Sequence, residues 1–239
     1  MTSIFKSLKK GSVLILATMM AVIMCGVAVI NPFTASANGY VAQVSVYAYD
    51  GNGGSSSINI FNQGHAWLVV DNISDSSIVV GRMTIPAGGT VSIGTFGPLY
   101  GRSGLWYNLE GYRYLYEGDF NGRVSLTKSI TSSELSTMNV KINSYNDTWN
   151  ILDNCSSFAK NVYNTVSLNN LTADTPNTPG GLKNSIKNFA YQTNRSFGYN
   201  SNVGYYNGLT FVPVSPYGLF SMENPDLFIT YDYANATAY

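Results

Sequence analysis

Apolar and polar side chains alternate from Tyr40 to Tyr49 (Val41, Gln43, Val44, Ser45, Val46, Tyr47, Ala48), which predicts a first strand. The run GNGGSSS at 51–57 reads as a flexible connector with no core-forming content. After a short apolar stretch at 58–61, residues 64–70 (GHAWLVV) are rich in β-formers and predict a second strand. Turn chemistry at 71–76 leads into a returning strand at 77–83 (SIVVGRM). Pro86, Ala87, Gly88 and Gly89 then make a turn before a third strand at 90–96 (TVSIGTF). The expectation is an antiparallel meander carrying one side chain able to move protons at neutral pH, His65.

The pattern then changes. Residues 97–122 are aromatic and glycine-rich, which predicts a long irregular or partly stranded insertion, and 123–130 (RVSLTKSI) reads as a strand. Ser132 or Ser133 caps a helix running through Glu134 toward Tyr145, and residues 149–166 form the next helical unit. Residues 169–181 hold Asn, Pro and Gly and read as a loop, followed by a short amphipathic helix at 181–190. Tyr, Asn and Gly dominate 194–208, a predicted loop, with late strands at 209–214 and 227–231.

The N-terminus departs from this globular pattern. Lys6, Lys9 and Lys10 precede an almost wholly apolar run at 13–30, and Ala35-Ser36-Ala37 offers the small-residue pattern that a signal peptidase cuts. Residues 1–37 therefore read as a secretory signal, and 38–239 as a single domain with a Tyr/Asn/Gly-rich C-terminal extension. The alternative is an uncleaved anchor, because the apolar run approaches the ~18 residues of a spanning helix. Cys25 follows bulky Met24 inside this run, a poor lipid-attachment context. A cleaved chain works outside the cytoplasm, secreted or at the cell surface, without stable membrane association.

Charge excludes some partners. All thirteen acidic residues follow the cut and three of the thirteen basic ones precede it, which leaves a mildly acidic mature chain. No basic patch suited to neutralising phosphates stands out, so nucleic acid is not an expected partner.

Cysteine arithmetic is more informative. Once the signal is removed, Cys155 is the one cysteine, and His65 is the one histidine of the whole sequence. An internal disulfide is excluded. A structural zinc site, which needs about four ligands that are mostly Cys and His, loses its basis, and no metal or cofactor is expected. A lone exported cysteine is a buried inert thiol, an intermolecular bridge or a nucleophile.

Asp153 and Asn154 are good N-cap residues, and Cys155, Ala159, Val162 and Val166 share one helical stripe. Cys155 thus falls in the first turn, where the helix dipole favours a thiolate and free N–H groups can hold an oxyanion. His65 shares a strand face with Trp67 and Val69 and is the one imidazole able to activate that thiol.

The segments GHAWLVVDN and YNDTWNILDNCSSFAKNVYN, with the core N-C-x-x-F (Asn154, Cys155, Phe158), resemble the circularly permuted papain-like cysteine hydrolases. These are relatives of NlpC-type cell-wall peptidases and of lecithin:retinol acyltransferase-like proteins. His65 precedes Cys155, as in the permuted group. The resemblance implies an α+β fold in which an antiparallel sheet packs against a nucleophile-bearing helix. It also implies a Cys-His hydrolase, an amidase or peptidase acting on peptide or peptidoglycan-like substrates. Such enzymes place a third polar residue on the strand after the histidine strand. A hairpin folded about Ile73 and Ser74 would bring Thr84 opposite His65, with Asp71 and Asn72 as alternatives nearer the turn. Asn154, beside the nucleophile, is a further orienting or oxyanion candidate.

The competing function is a catalytically inactive papain-like surface protein that binds cell-wall or glycan ligands, with Tyr112, Tyr114, Tyr116, Tyr199, Tyr205 and Tyr206 stacking on sugars. Export with cleavage predicts a mature N-terminus at Asn38. N-terminal sequencing of the exported protein checks this, and an intact Met1 identifies an anchor instead.

Overall fold

The computed structural model describes residues 39–51, 64–99, 102–145, 149–150 and 152–215. The expected signal, the stretch at 58–61 and the expected strand at 227–231 lie outside these residues.

Among the described residues there are ten strands and four α-helices. They are β1 (Tyr40–Tyr49), β2 (His65–Asn72), β3 (Ile78–Val80), β4 (Met83–Ile85), β5 (Thr90–Leu99) and β6 (Arg102–Tyr107). A short helix α1 (Leu109–Tyr112) then runs into a π-helical turn (Arg113–Glu117), followed by β7 (Val124–Thr131), α2 (Ser132–Ser144), α3 (Cys155–Asn164) and α4 (Pro179–Ile186). The small strands β8 (Gln192–Thr193), β9 (Gly204–Asn207) and β10 (Thr210–Pro213) complete the described part. Eight strands form one sheet in the order β10-β9-β6-β5-β2-β1-β7-β8, and β3 and β4 form a separate hairpin. Every pairing is antiparallel. The fold is α+β, with a large antiparallel sheet and few helices.

The central strands read as near-continuous apolar runs because both faces of the sheet are covered. A strand sends alternate side chains to opposite faces. On one face Val44, Val46, Ala48, Ala66, Leu68, Val70, Val91 and Ile93 join Met138, Ile142, Phe158, Ala159, Val162, Leu182 and Ile186 from the helices in one core. On the other, Tyr47, Tyr49, Trp67, Val69, Phe96 and Trp106 pack with Leu109, Tyr112 and Phe120. Tyr47 and Trp67, directly opposed across β1 and β2, stack with ring centroids 5.1 Å apart. Each fully buried large apolar side chain contributes about 1.5–3 kcal/mol, so losing either cover would leave a sheet face exposed.

Capping sets where the helices start. Thr131, not the expected Ser132 or Ser133, caps α2, because its hydroxyl and the Glu134 carboxylate form a capping box that draws both serines into the helix. Asn154 caps α3, so its first helical residue is Cys155. Pro179 opens α4 two residues before the predicted start, with Thr178 as its cap.

Two expectations need correction. The strand at 77–83 does not return along β2. Val79 and Val80 turn at Gly81 and Arg82 into β4, and this hairpin stands off the main sheet, so the neighbour of β2 is β5, with Trp67 opposite Gly94. The physical reason is Asn72. Its Nδ2 donates to the carbonyls of Ser76, Ile85 and Pro86 at 2.8, 3.1 and 2.9 Å, and its Oδ1 accepts from the N–H and hydroxyl of Ser74. One buried amide thereby ties both ends of the hairpin to the end of β2. The 194–208 segment, expected as loop, contributes β9, which with β10 extends the sheet beyond β6.

Asn72→Ala removes the amide and leaves buried carbonyls without donors, at a cost of about 1–3 kcal/mol. Denaturant unfolding of the variant checks this. Its Cys155 alkylation rate should match the wild type, because Asn72 lies at the opposite end of β2 from His65.

Candidate active site

Cys155 is the first residue of α3, 8% exposed, at the rim of the core rather than in its centre. The Asn154 side chain holds the helix tip: Oδ1 accepts from the N–H groups of Ser156 (2.9 Å) and Ser157 (3.2 Å), and Nδ2 donates to the Asn177 carbonyl at 2.7 Å. Asn154 is therefore a cap, and it occupies two of the amides the sequence offered to an oxyanion. The Cys155 N–H remains without a partner among the described residues.

His65 is the first residue of β2, opposite Tyr49, and 3% exposed. Phe96 stacks on its ring with centroids 4.5 Å apart, and Trp67 lies nearly parallel at 5.6 Å, so aromatic packing fixes the imidazole plane. The Cys155 thiol lies beside the ring, close enough for each group to act on the other's proton affinity. The two solitary side chains, 90 positions apart in the chain, meet.

The third member of the site is Glu110, fully buried in α1. Its Oε1 lies 3.1 Å from His65 Nε2. With Nε2 turned to the carboxylate, Nδ1 is the ring nitrogen left for the thiol. Glu110 is held in turn: Ser92 donates its hydroxyl to Oε2 at 2.9 Å and accepts the Gly111 N–H at 3.2 Å. Asn108 accepts the Ser92 N–H and returns its own to the Ser92 carbonyl, which clamps the start of α1 to β5.

Gly94 makes this geometry available. A Cβ there would overlap Oε1 of Glu110 and come within 2.9 Å of His65 Nε2. On the strand beside the histidine strand, the position facing His65 thus has no side chain, and a carboxylate from α1 fills the space.

Thr84, Asp71 and Asn72 are not brought to His65. Thr84 is exposed in the β3–β4 hairpin opposite Val79, while Asp71 and Asn72 lie at the far end of β2. Glu110 escaped the reading because it is distant in sequence and lies in a segment expected to be irregular. One signal did mark it: it is the single acidic residue between Asp75 and Glu117, set in an apolar and aromatic context.

Burial is the strongest influence on both reacting groups and opposes charge on each, pulling His65 down and pushing Cys155 up. Their mutual hydrogen bond and attraction overrule it. Glu110 adds its hydrogen bond and charge, and His65 is raised to about 9. Cys155 is held below its ordinary value by His65, the Ala66 N–H and Ser156, whose hydroxyl lies 4.0 Å from the sulfur. Both shifts favour the thiolate–imidazolium form of the pair. Such an arrangement supports nucleophilic attack followed by proton return to a leaving group.

No protein-family model, curated protein or solved structure matches the chain.

Since the thiol is lowered and the imidazole raised, Cys155 should alkylate with iodoacetamide at a rate that stays high well below pH ~8.5, the free-cysteine value. His65→Asn leaves burial opposed only by the Ala66 N–H and Ser156 and should move the reactive limb above that pH. Mass spectrometry after labelling at several pH values measures both, with Cys155→Ala as the unlabelled control.

Proposed function

We propose that this chain is a permuted papain-like cysteine hydrolase that cleaves an amide or ester through a thioester on Cys155. The observation that carries the reading is the buried relay Cys155–His65–Glu110–Ser92, built from the sole cysteine after residue 25 and the sole histidine.

The thiolate Sγ attacks the substrate carbonyl carbon, forming a C–S bond while the π electron pair moves to oxygen. The Cys155 N–H is placed to receive that oxyanion. Collapse restores the carbonyl and breaks the bond to the leaving group, which takes the proton from His65 Nδ1. Water then attacks the thioester, His65 Nδ1 takes its proton, and a second collapse breaks the C–S bond. The acid product leaves and the thiolate–imidazolium pair returns. Throughout, Glu110 accepts the Nε2 proton in a hydrogen bond, fixing the tautomer and supporting the imidazolium charge, a positioning role.

The helix-borne thiol, the histidine at a strand start and the antiparallel sheet support the papain-like reading. The His-before-Cys order supports the permuted one. The N-terminal export pattern directs the substrate toward peptidoglycan stem peptides. The tyrosines that suggested a glycan binder pack largely on one another and on neighbours: Tyr114 stacks on Phe197 at 4.6 Å, and Tyr116 meets Tyr112 at 5.0 Å and Tyr199 at 5.5 Å.

Incubation with muropeptides and a small activated ester tests the proposal. Cys155→Ala should abolish turnover of both. Glu110→Gln, which can turn its amide N–H₂ toward Nε2 and favour the wrong tautomer, should lower kcat by about 10²-fold or more. A native thiol inert to both ester and alkylating agent would end the hydrolase reading in favour of a binding protein.

A further inference from the structure

An oxyanion needs more than one donor, and the Asn154 cap leaves one amide at the helix tip. We propose that the Thr95 hydroxyl is the second donor of the oxyanion hole, acting with the Cys155 N–H; the inference rests on the hydrolase reading above.

Three observations converge on Thr95. The first is register. β2 and β5 pair as far as Trp67–Gly94, and continuing that register by one residue sets Thr95 level with Ala66. Ala66 is the residue whose backbone N–H, by its proximity, favours the Cys155 thiolate. The second is direction. A Cβ at Gly94 would point at Glu110 and His65, so Thr95 projects from the opposite face, beside Val91 and Ile93 in the layer that α3 covers. The Thr95 side chain and the first turn of α3 therefore share one side of the β2–β5 seam, at the level of the sulfur. The third is satisfaction. Thr95 is 2% exposed and its Oγ1 has no hydrogen-bond partner among the described residues.

A buried hydroxyl without a partner costs stability and calls for an explanation. Valine would fill the same volume without that cost. A hydroxyl here gains its partner when an acyl group is attacked by Cys155. The carbon–sulfur bond forms, the carbonyl pair moves to oxygen, and Oγ1–H donates to the resulting oxyanion. Other buried groups without partners lie elsewhere: the Trp67 indole is on the His65 face, and Thr90 is at the far end of β5.

Thr95→Val and Thr95→Ser in the full chain test this with two probes. p-Nitrophenyl acetate acylates Cys155 through an oxyanion. Iodoacetamide alkylates it by displacing iodide, with no charge developing on a carbonyl oxygen. Thr95→Val should slow acylation by about 10²–10³-fold, leave alkylation unchanged and not lower the Tm, while Thr95→Ser keeps most of the acylation rate. Acylation of Thr95→Val at the wild-type rate overturns the assignment, and so does a parallel loss of alkylation, which would mark a packing role. A wild-type protein that neither probe modifies overturns the hydrolase reading itself, and this inference with it.

Discussion

A carboxylate with no access to water must be paired and hydrogen-bonded or it destabilises the fold by several kcal/mol. Glu110 is in that position, and the middle of the structure is arranged around it. His65 Nε2 takes one oxygen and the Ser92 hydroxyl the other, while Gly94 vacates the volume between them. The same pairing that makes Glu110 tolerable raises the affinity of His65 for its proton. The charged imidazole in turn draws Cys155 toward the thiolate. The stability of a buried acid and the reactivity of a thiol are thus two consequences of one contact.

The sheet makes that contact by dividing labour between its faces. One face carries the helical layer and delivers Cys155 at the tip of α3; the other carries the aromatic layer and holds the His65 ring between flat neighbours. The sulfur and the imidazole meet at the start of β2, where the pairing with β5 ends. A strand end is the one place where groups approaching from opposite faces can touch, since the backbone itself separates them elsewhere.

The segment after β6 is where local reading and tertiary structure part. Its glycines and tyrosines suggested an irregular insertion, yet it supplies α1, the π-helical turn and the ion pair of buried Arg113 with half-buried Asp119. Propensity is a weak prior in four- and five-residue elements, and these are held by packing: Leu109, Tyr112 and Phe120 sink into the aromatic layer. Asn108 enters the helix with a left-handed backbone (φ 64°), a conformation asparagine tolerates better than most residues.

The amino-acid sequence by itself determined the local features. The alternation in β1, the β-formers of β2, the cap at the head of α3 and the first-turn place of Cys155 follow from spacing and short-range hydrogen bonds, whereas the cap of α2 is Thr131 and not the expected Ser132 or Ser133. The pairing of Cys155 with His65 was legible because each is alone of its kind beyond the N-terminal segment, and elimination needs no coordinates. Strand neighbours were not legible. Whether β2 pairs with the next strand or the one after depends on a single amide, Asn72, bonding carbonyls up to 14 positions away. Only the tertiary structure, by putting β5 beside β2 and folding α1 back over the glycine at 94, decided that the third polar group would be Glu110. Its energy comes from burial and from partners 18 and 45 residues distant, and no local pattern encodes those.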